Sequence, residues 1–183
     1  HVVNPPPTRE PTPTPTPSPE PTPTPMPTVE PTPAPAVPVA AARLVPNGSR
    51  ATVEGVLTTP LGSLEDGRGG FLQDDTGGIG LLLPSTPPNV LAAGLLVRAT
   101  GIVDDRYSQR TLRLDGEPLV LGVAALPPAE PIATGVASET HEGRRVAIEG
   151  VVAEVPAALA TGFSLLVDDG SGALRVVLAF DGP

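Results

Sequence analysis

The sequence predicts an all-β chain in which one complete five-stranded barrel is followed by part of a second, behind an extended polyproline II-like segment. Three observations carry this expectation. The stretch Gly48–Val56, GSRATVEGV, returns 95 residues later as Gly143–Val151, GRRVAIEGV. Each copy is followed by an acidic glycine turn, Asp74–Gly78 (DDTGG) and Asp168–Gly172 (DDGSG). Around these landmarks apolar residues alternate with period two, as strands with one buried side require. The first copy runs on through enough strands to close a small barrel, whereas the second reaches Pro183 soon after its third.

The N-terminal segment is read from its prolines. Of 27 prolines, 16 fall in residues 1–38, alternating with Thr, Ser, Glu, Ala or Met. Proline lacks the N–H that a helix or central strand uses and biases the preceding residue toward extended backbone. Such a segment is a semi-rigid spacer of about 3.1 Å per residue, roughly 100 Å in all. We therefore divide the chain into a stalk or linker (1–41), a complete barrel (42–128) and a partial one (129–183). Thr12, Thr14, Thr16, Thr22 and Thr24 are spaced as candidate O-glycan acceptors, and a Pro/Thr stalk points to a secreted or cell-surface protein. His1 is not an initiator methionine, so a signal peptide has been removed or the chain is a fragment. No apolar run reaches the roughly 20 residues of a membrane span.

In the first barrel, Ala51, Val53, Gly55 and Leu57 share one face and Arg50, Thr52 and Glu54 the other. The matching inward set in the second copy is Val146, Ile148, Gly150 and Val152. A glycine within a strand marks a bulge or sharp bend, the expected role of Gly55 and Gly150. Phe71–Gln73 and Ile79–Leu83 flank the DDTGG turn as a hairpin. Asn89–Ala93 is expected to form one or two helical turns. Leu96–Val103 and Thr111–Leu121 then read as two further strands joined through Asp104–Arg110. Five strands with a short helix after the third is the order of an OB barrel.

The residues also resemble a family. Val53–Leu57 (VEGVL), Phe71–Ile79 (FLQDDTGGI) and Val97–Val103 (VRATGIV) look like the bacterial OB-fold modules of secreted nucleases and surface proteins. The likeness spans residues 42–125 and, more weakly, 135–180, where Val167 replaces Gln73 and Gly170 lies where a threonine would. It implies a module that accompanies a catalytic domain and is not itself the catalyst.

Composition narrows the chemistry. Net charge is −9, divided as −2 in residues 1–41, −2 in 42–128 and −5 in 129–183, and all eleven basic residues are arginine. An acidic chain repels phosphate backbones at long range. There is no cysteine, and His1 and His141 are the two histidines. Neither a zinc set nor a Cys-His pair is available, so no cofactor, metal or catalytic residue is expected. Asp74/Asp75, Asp104/Asp105 and Asp168/Asp169 sit where strands turn and suit turn capping rather than a calcium loop. Asn47-Gly48-Ser49 matches an N-glycan acceptor but reads first as a turn.

One face suits a ligand. Arg98, Arg106, Arg110 and Arg113 cluster on and around the fourth and fifth strands with Tyr107 among them, the combination that holds single-stranded nucleic acid on an OB surface. The competing reading pairs these arginines with neighbouring carboxylates. Two functions follow as expectations. The favoured one is a non-catalytic extracellular structural or surface module, its open second barrel completed by another chain in head-to-tail, filament-like assembly with copies of itself or other surface proteins. The other is an accessory nucleic-acid or ligand-binding module of a secreted nuclease or hydrolase.

Overall fold

The computed structural model describes Val3 and residues 35–159 and 162–179. The stalk threonines, His1 and Phe180 lie outside the described residues. Both repeats belong to one compact unit, residues 34–183. Its first element is a short helix, α1 (Val39–Leu44), whose buried Val39 and Ala42 face the barrel that follows. The boundary drawn at residue 41 from the proline pattern thus falls inside a helix that packs on the first repeat.

Six strands follow: β1 (Arg50–Leu57), β2 (Gly69–Gln73), β3 (Gly78–Leu82), β4 (Leu95–Arg106), β5 (Gln109–Leu114) and β6 (Leu119–Val123). They pair in the order β1-β2-β3-β5-β4, and β4 returns to β1, closing a five-stranded ring with β6 attached to β4. The β3–β5 pairing is parallel, Leu81 opposite Leu112, and the others are antiparallel. Inside lie Val53, Leu57, Leu72, Ile79, Leu81, Val97, Val103 and Leu112, all essentially without solvent contact. Filling the ring with branched aliphatics at alternate positions is what period two dictates. The outward Thr52 is also buried and shares a 2.9 Å hydrogen bond with Thr100, its direct partner on β4.

Three expectations are corrected. Asn89–Ala93 is not helical: Leu91 exchanges both backbone hydrogen bonds with Leu61, at 2.9 and 3.0 Å, bracing the β1–β2 connection. The Thr111–Leu121 strand is broken at Asp115–Pro118, where glycine and proline interrupt the ladder. Its second half becomes β6, which runs on in the same direction as β5 along β4 and pairs Val123 with Leu95. Gly55 is not at a bulge, since it sits in unbroken register with β4; β2 passes close by, and an added Cβ would lie 2.7 Å from the Gln73 carbonyl oxygen.

The second repeat follows the first at a constant offset of 95 residues. Its elements are β7 (Glu130–Pro131), β8 (Val146–Ala147), β9 (Val151–Val152), β10 (Ala157–Leu159), β11 (Gly162–Asp168) and β12 (Leu174–Ala179). Val56 pairs with Gln73 and Leu57 with Leu72; correspondingly Val151 pairs with Asp168 and Val152 with Val167, so Asp168, not Val167, takes the place of Gln73, and Ser171, not Gly170, that of Thr76. The hairpin pair Leu72–Ile79 recurs as Val167–Leu174. Gly150 repeats the close approach of Gly55, its Cβ position being 2.8 Å from the Asp168 oxygen. The single strand expected over 146–152 is two short pieces, with residues 148–150 outside any ladder.

Candidate functional site

The concave end of the first barrel is built where the β1–β2 connection meets the β4–β5 turn. That turn is tight, with Tyr107 and Ser108 both at positive φ, 52° and 64°. A two-residue hairpin turn of this hand matches strand twist, but non-glycine residues occupy it at a steric cost. The facing connection carries a second such pair, Glu65 and Asp66, at 52° and 56°. Arg106 joins the two loops: its guanidinium donates to Glu65 at 2.9 Å and lies 5.3 Å from the centre of the Tyr107 ring. Tyr107 is 87% exposed.

Two concavities adjoin this bridge and share Leu82 and Arg106. One of about 260 Å³ is bounded by Leu64, Glu65, Phe71, Gln109 and Thr111. The other, of about 470 Å³, is bounded by Arg68, Pro84, Ile102, Arg113 and Asp115. Arg106, Tyr107 and Arg113 therefore meet at one barrel end, and Arg113 is held by Asp104 at 3.0 Å. Arg98 lies elsewhere, on β4 opposite Glu54 of β1, with which it forms an ion pair. Arg110 turns under α1, where it donates to the Arg43 and Val45 carbonyls, to Asn47 and to Asp105. The Asn47 and Arg110 side chains hold the Asp105 carboxyl below its ordinary range. Glu65 and Arg68 carry no local signal in the sequence, because only ring closure brings the β1–β2 connection to this end.

The acidic turns act on backbone. Asp74 accepts the N–H of Val39 at 2.9 Å, and Thr76 accepts that of Ala40 at 3.0 Å, so two free donors at the start of α1 are satisfied from 35 and 36 residues away. In the second repeat Asp169 accepts from Thr134 at 3.1 Å and Ser171 from Gly135 at 2.9 Å, the same contacts shifted by 95. Ser171 also donates to Asp169 through both its hydroxyl and its backbone N–H, and with Thr134 it holds the Asp169 carboxyl far below the usual aspartate range. His141 lies within one turn of two hydroxyls, Nδ1 being 3.4 Å from Ser138 Oγ and 3.3 Å from Thr140 Oγ1. The adjacent Glu142 carboxylate is committed to the first repeat, accepting from the Arg43 side chain at 2.5 Å and the Arg110 N–H at 2.6 Å.

A second candidate surface is the inner face of repeat 2. Leu57 is fully buried, whereas its counterpart Val152 is 52% exposed; Leu83 is 2% exposed and its counterpart Leu178 52%. In repeat 1 these positions pack in a core that includes Val97, Ala99 and Val103 of β4 and Leu112 and Leu114 of β5. No family model, curated protein or solved structure matches this chain.

Proposed function

We propose that this chain is a non-catalytic structural module displayed outside the cell, built on OB-type barrels, whose second repeat is an assembly face. The ring order β1-β2-β3-β5-β4 with a parallel β3–β5 pair supports the OB reading. The observation that carries the function is the contrast between equivalent positions: apolar side chains buried in repeat 1 stand in water in repeat 2. A contiguous exposed apolar face rimmed by unpaired strand edges is a site of association. The Pro/Thr segment serves as a spacer that sets the barrels off from their anchorage, and an assembly contact of the head-to-tail kind extends when it does not close into a ring.

Light scattering after size exclusion at physiological salt tests this. The intact chain should run above monomer mass with increasing concentration, and Val152→Asp should return it to monomer. A monomer at every concentration, unchanged by the substitution, overturns the reading.

A second reading is favoured by Tyr107, an exposed aromatic held on a strained turn beside Arg106 and the two concavities. Residues in such conformations cluster at ligand sites. In this reading the barrel end binds an anionic chain such as single-stranded nucleic acid. Binding at low salt that weakens steeply as salt rises supports it, and no binding at low salt removes it.

A further inference from the structure

We propose that the concavity of about 470 Å³ at the end of the first barrel seats one phosphodiester group of a single-stranded nucleic acid, with Arg68 as the cation that receives it. This rests on the second reading of the barrel end, and it names the group held there and the residue that holds it.

Arginine pairing singles out the place. Among the described residues, Arg68 is the arginine whose side chain makes no hydrogen bond and no ion pair; the others are each engaged by a carboxylate, a carbonyl or a hydroxyl. Its backbone is nevertheless fixed. The Arg68 N–H donates to the Leu64 carbonyl at 2.9 Å, and the Arg68 carbonyl accepts the Leu83 N–H at 2.9 Å. From this anchored backbone the side chain walls the concavity together with Arg106 of β4 and Arg113 of β5. Guanidinium groups from three elements border one space.

Charge balance sets what the space takes. Arg106 is paired with Glu65 and Arg113 with Asp104, while Asp115, the carboxylate on the wall, is paired with Arg50. Arg68 leaves one positive charge over. A phosphodiester brings one negative charge, and its tetrahedral oxygens present acceptors to more than one wall, whereas those of a carboxylate lie in one plane. The same walls include the buried Leu82 and Leu114, so the charges meet beside a low-dielectric surface that strengthens their attraction. The neighbouring concavity of about 260 Å³ shares Arg106 but also holds its partner Glu65, and it has no spare cation.

Tyr107 favours a phosphodiester over a sulfate ester. Its ring is exposed, and the Arg106 guanidinium that borders the concavity lies 5.3 Å from the ring centre. A nucleotide base has a π face to stack on such a ring, and the sugar of a sulfated glycan has none. All of these residues belong to repeat 1, so the seat is compatible with association through repeat 2.

The test is fluorescence anisotropy of labelled oligothymidylate titrated with the full chain over a series of salt concentrations, for the wild type, Arg68→Gln, Arg68→Lys and Arg175→Gln. Arg175, exposed on β12 with a single 3.4 Å contact to Ser164, is the control for net charge. Arg68→Gln should weaken binding about tenfold at low salt, the loss of one charged hydrogen-bond donor. It should also flatten the dependence of log affinity on log salt by about 0.7, the share of one phosphate contact on a single strand. Arg68→Lys should keep the salt slope, and Arg175→Gln should keep both slope and affinity. Because the Arg68 side chain bonds to nothing in the protein, Arg68→Gln should melt with the wild type, which separates lost binding from lost fold. Wild-type binding that Arg68→Gln leaves unchanged, or that Arg175→Gln weakens as much, overturns the seat and leaves the second reading standing. No wild-type binding at low salt overturns both. Dextran sulfate held through Arg68 where oligothymidylate is not bound overturns the phosphodiester in favour of a sulfate ester.

Discussion

Asp169 and Asp74 occupy the same place in the two repeats and do the same work, holding the start of the preceding segment by its backbone N–H groups. The repeated D-D turn was legible in the sequence as turn chemistry. The partner segment was not, because a contact across 35 residues leaves no local pattern. Asp169 yields a pH prediction. Its carboxyl is depressed in the folded chain first by the Ser171 hydroxyl, then by the Ser171 N–H and by Thr134. A depressed carboxyl stabilises the fold fully above its ordinary value near 3.8 and loses that contribution as pH falls through its folded value. The wild type should therefore lose thermal stability in repeat 2 as pH is lowered from about 5 to about 2, and Asp169→Asn should be less stable at neutral pH with a flatter acid limb. Circular dichroism melts across that range check it. An acid limb identical in both proteins would assign the acid sensitivity to other groups.

At the scale of elements, the strands were the legible part. Alternation in Arg50–Leu57 and the glycine turn at Asp74–Gly78 are local signals, and β1, β2 and β3 lie where those signals put them. The helix was misplaced because α1 is short and proline-flanked, and its reason to be helical is tertiary: Val39 and Ala42 cover the barrel, and Asp74 caps it. The break between β5 and β6 was missed because Thr111–Leu121 keeps its apolar alternation through Gly116 and Pro118. The β4–β5 turn is strained, as is the Glu65–Asp66 pair facing it. Tyr107 and Ser108 occupy a conformation suited to Asn-Gly. Replacing the pair with Asn-Gly should raise unfolding free energy by about 1 kcal/mol, read from urea denaturation with an unchanged slope. A loss of stability would mean that the Arg106 contact with the Tyr107 ring outweighs the backbone strain.

For the whole molecule, one sequence pattern is present twice with unequal surroundings, which makes the repeat its own control. Leu57 and Val152 have the same neighbours on β2- and β11-type strands, Leu72 and Val167, in the same register. They differ in what lies beyond: β4 and β5 bury Leu57, and water reaches Val152. The joint between the repeats does not equalise them, since Glu142 and Gly143 dock on Arg43, Arg110 and Gly78 at the turn end of repeat 1 and leave the inner face of repeat 2 uncovered. Removing a fully buried leucine costs about 2–5 kcal/mol, a transfer loss plus a cavity, whereas trimming a half-exposed valine forms no cavity. Leu57→Ala should therefore destabilise the first repeat by about 3 kcal/mol and Val152→Ala should cost under about 1 kcal/mol in the isolated chain. Site-resolved hydrogen exchange measures both, because local opening is read separately in each repeat. Equal costs in the isolated chain would mean that the inner face of repeat 2 is already covered in solution, by association between copies.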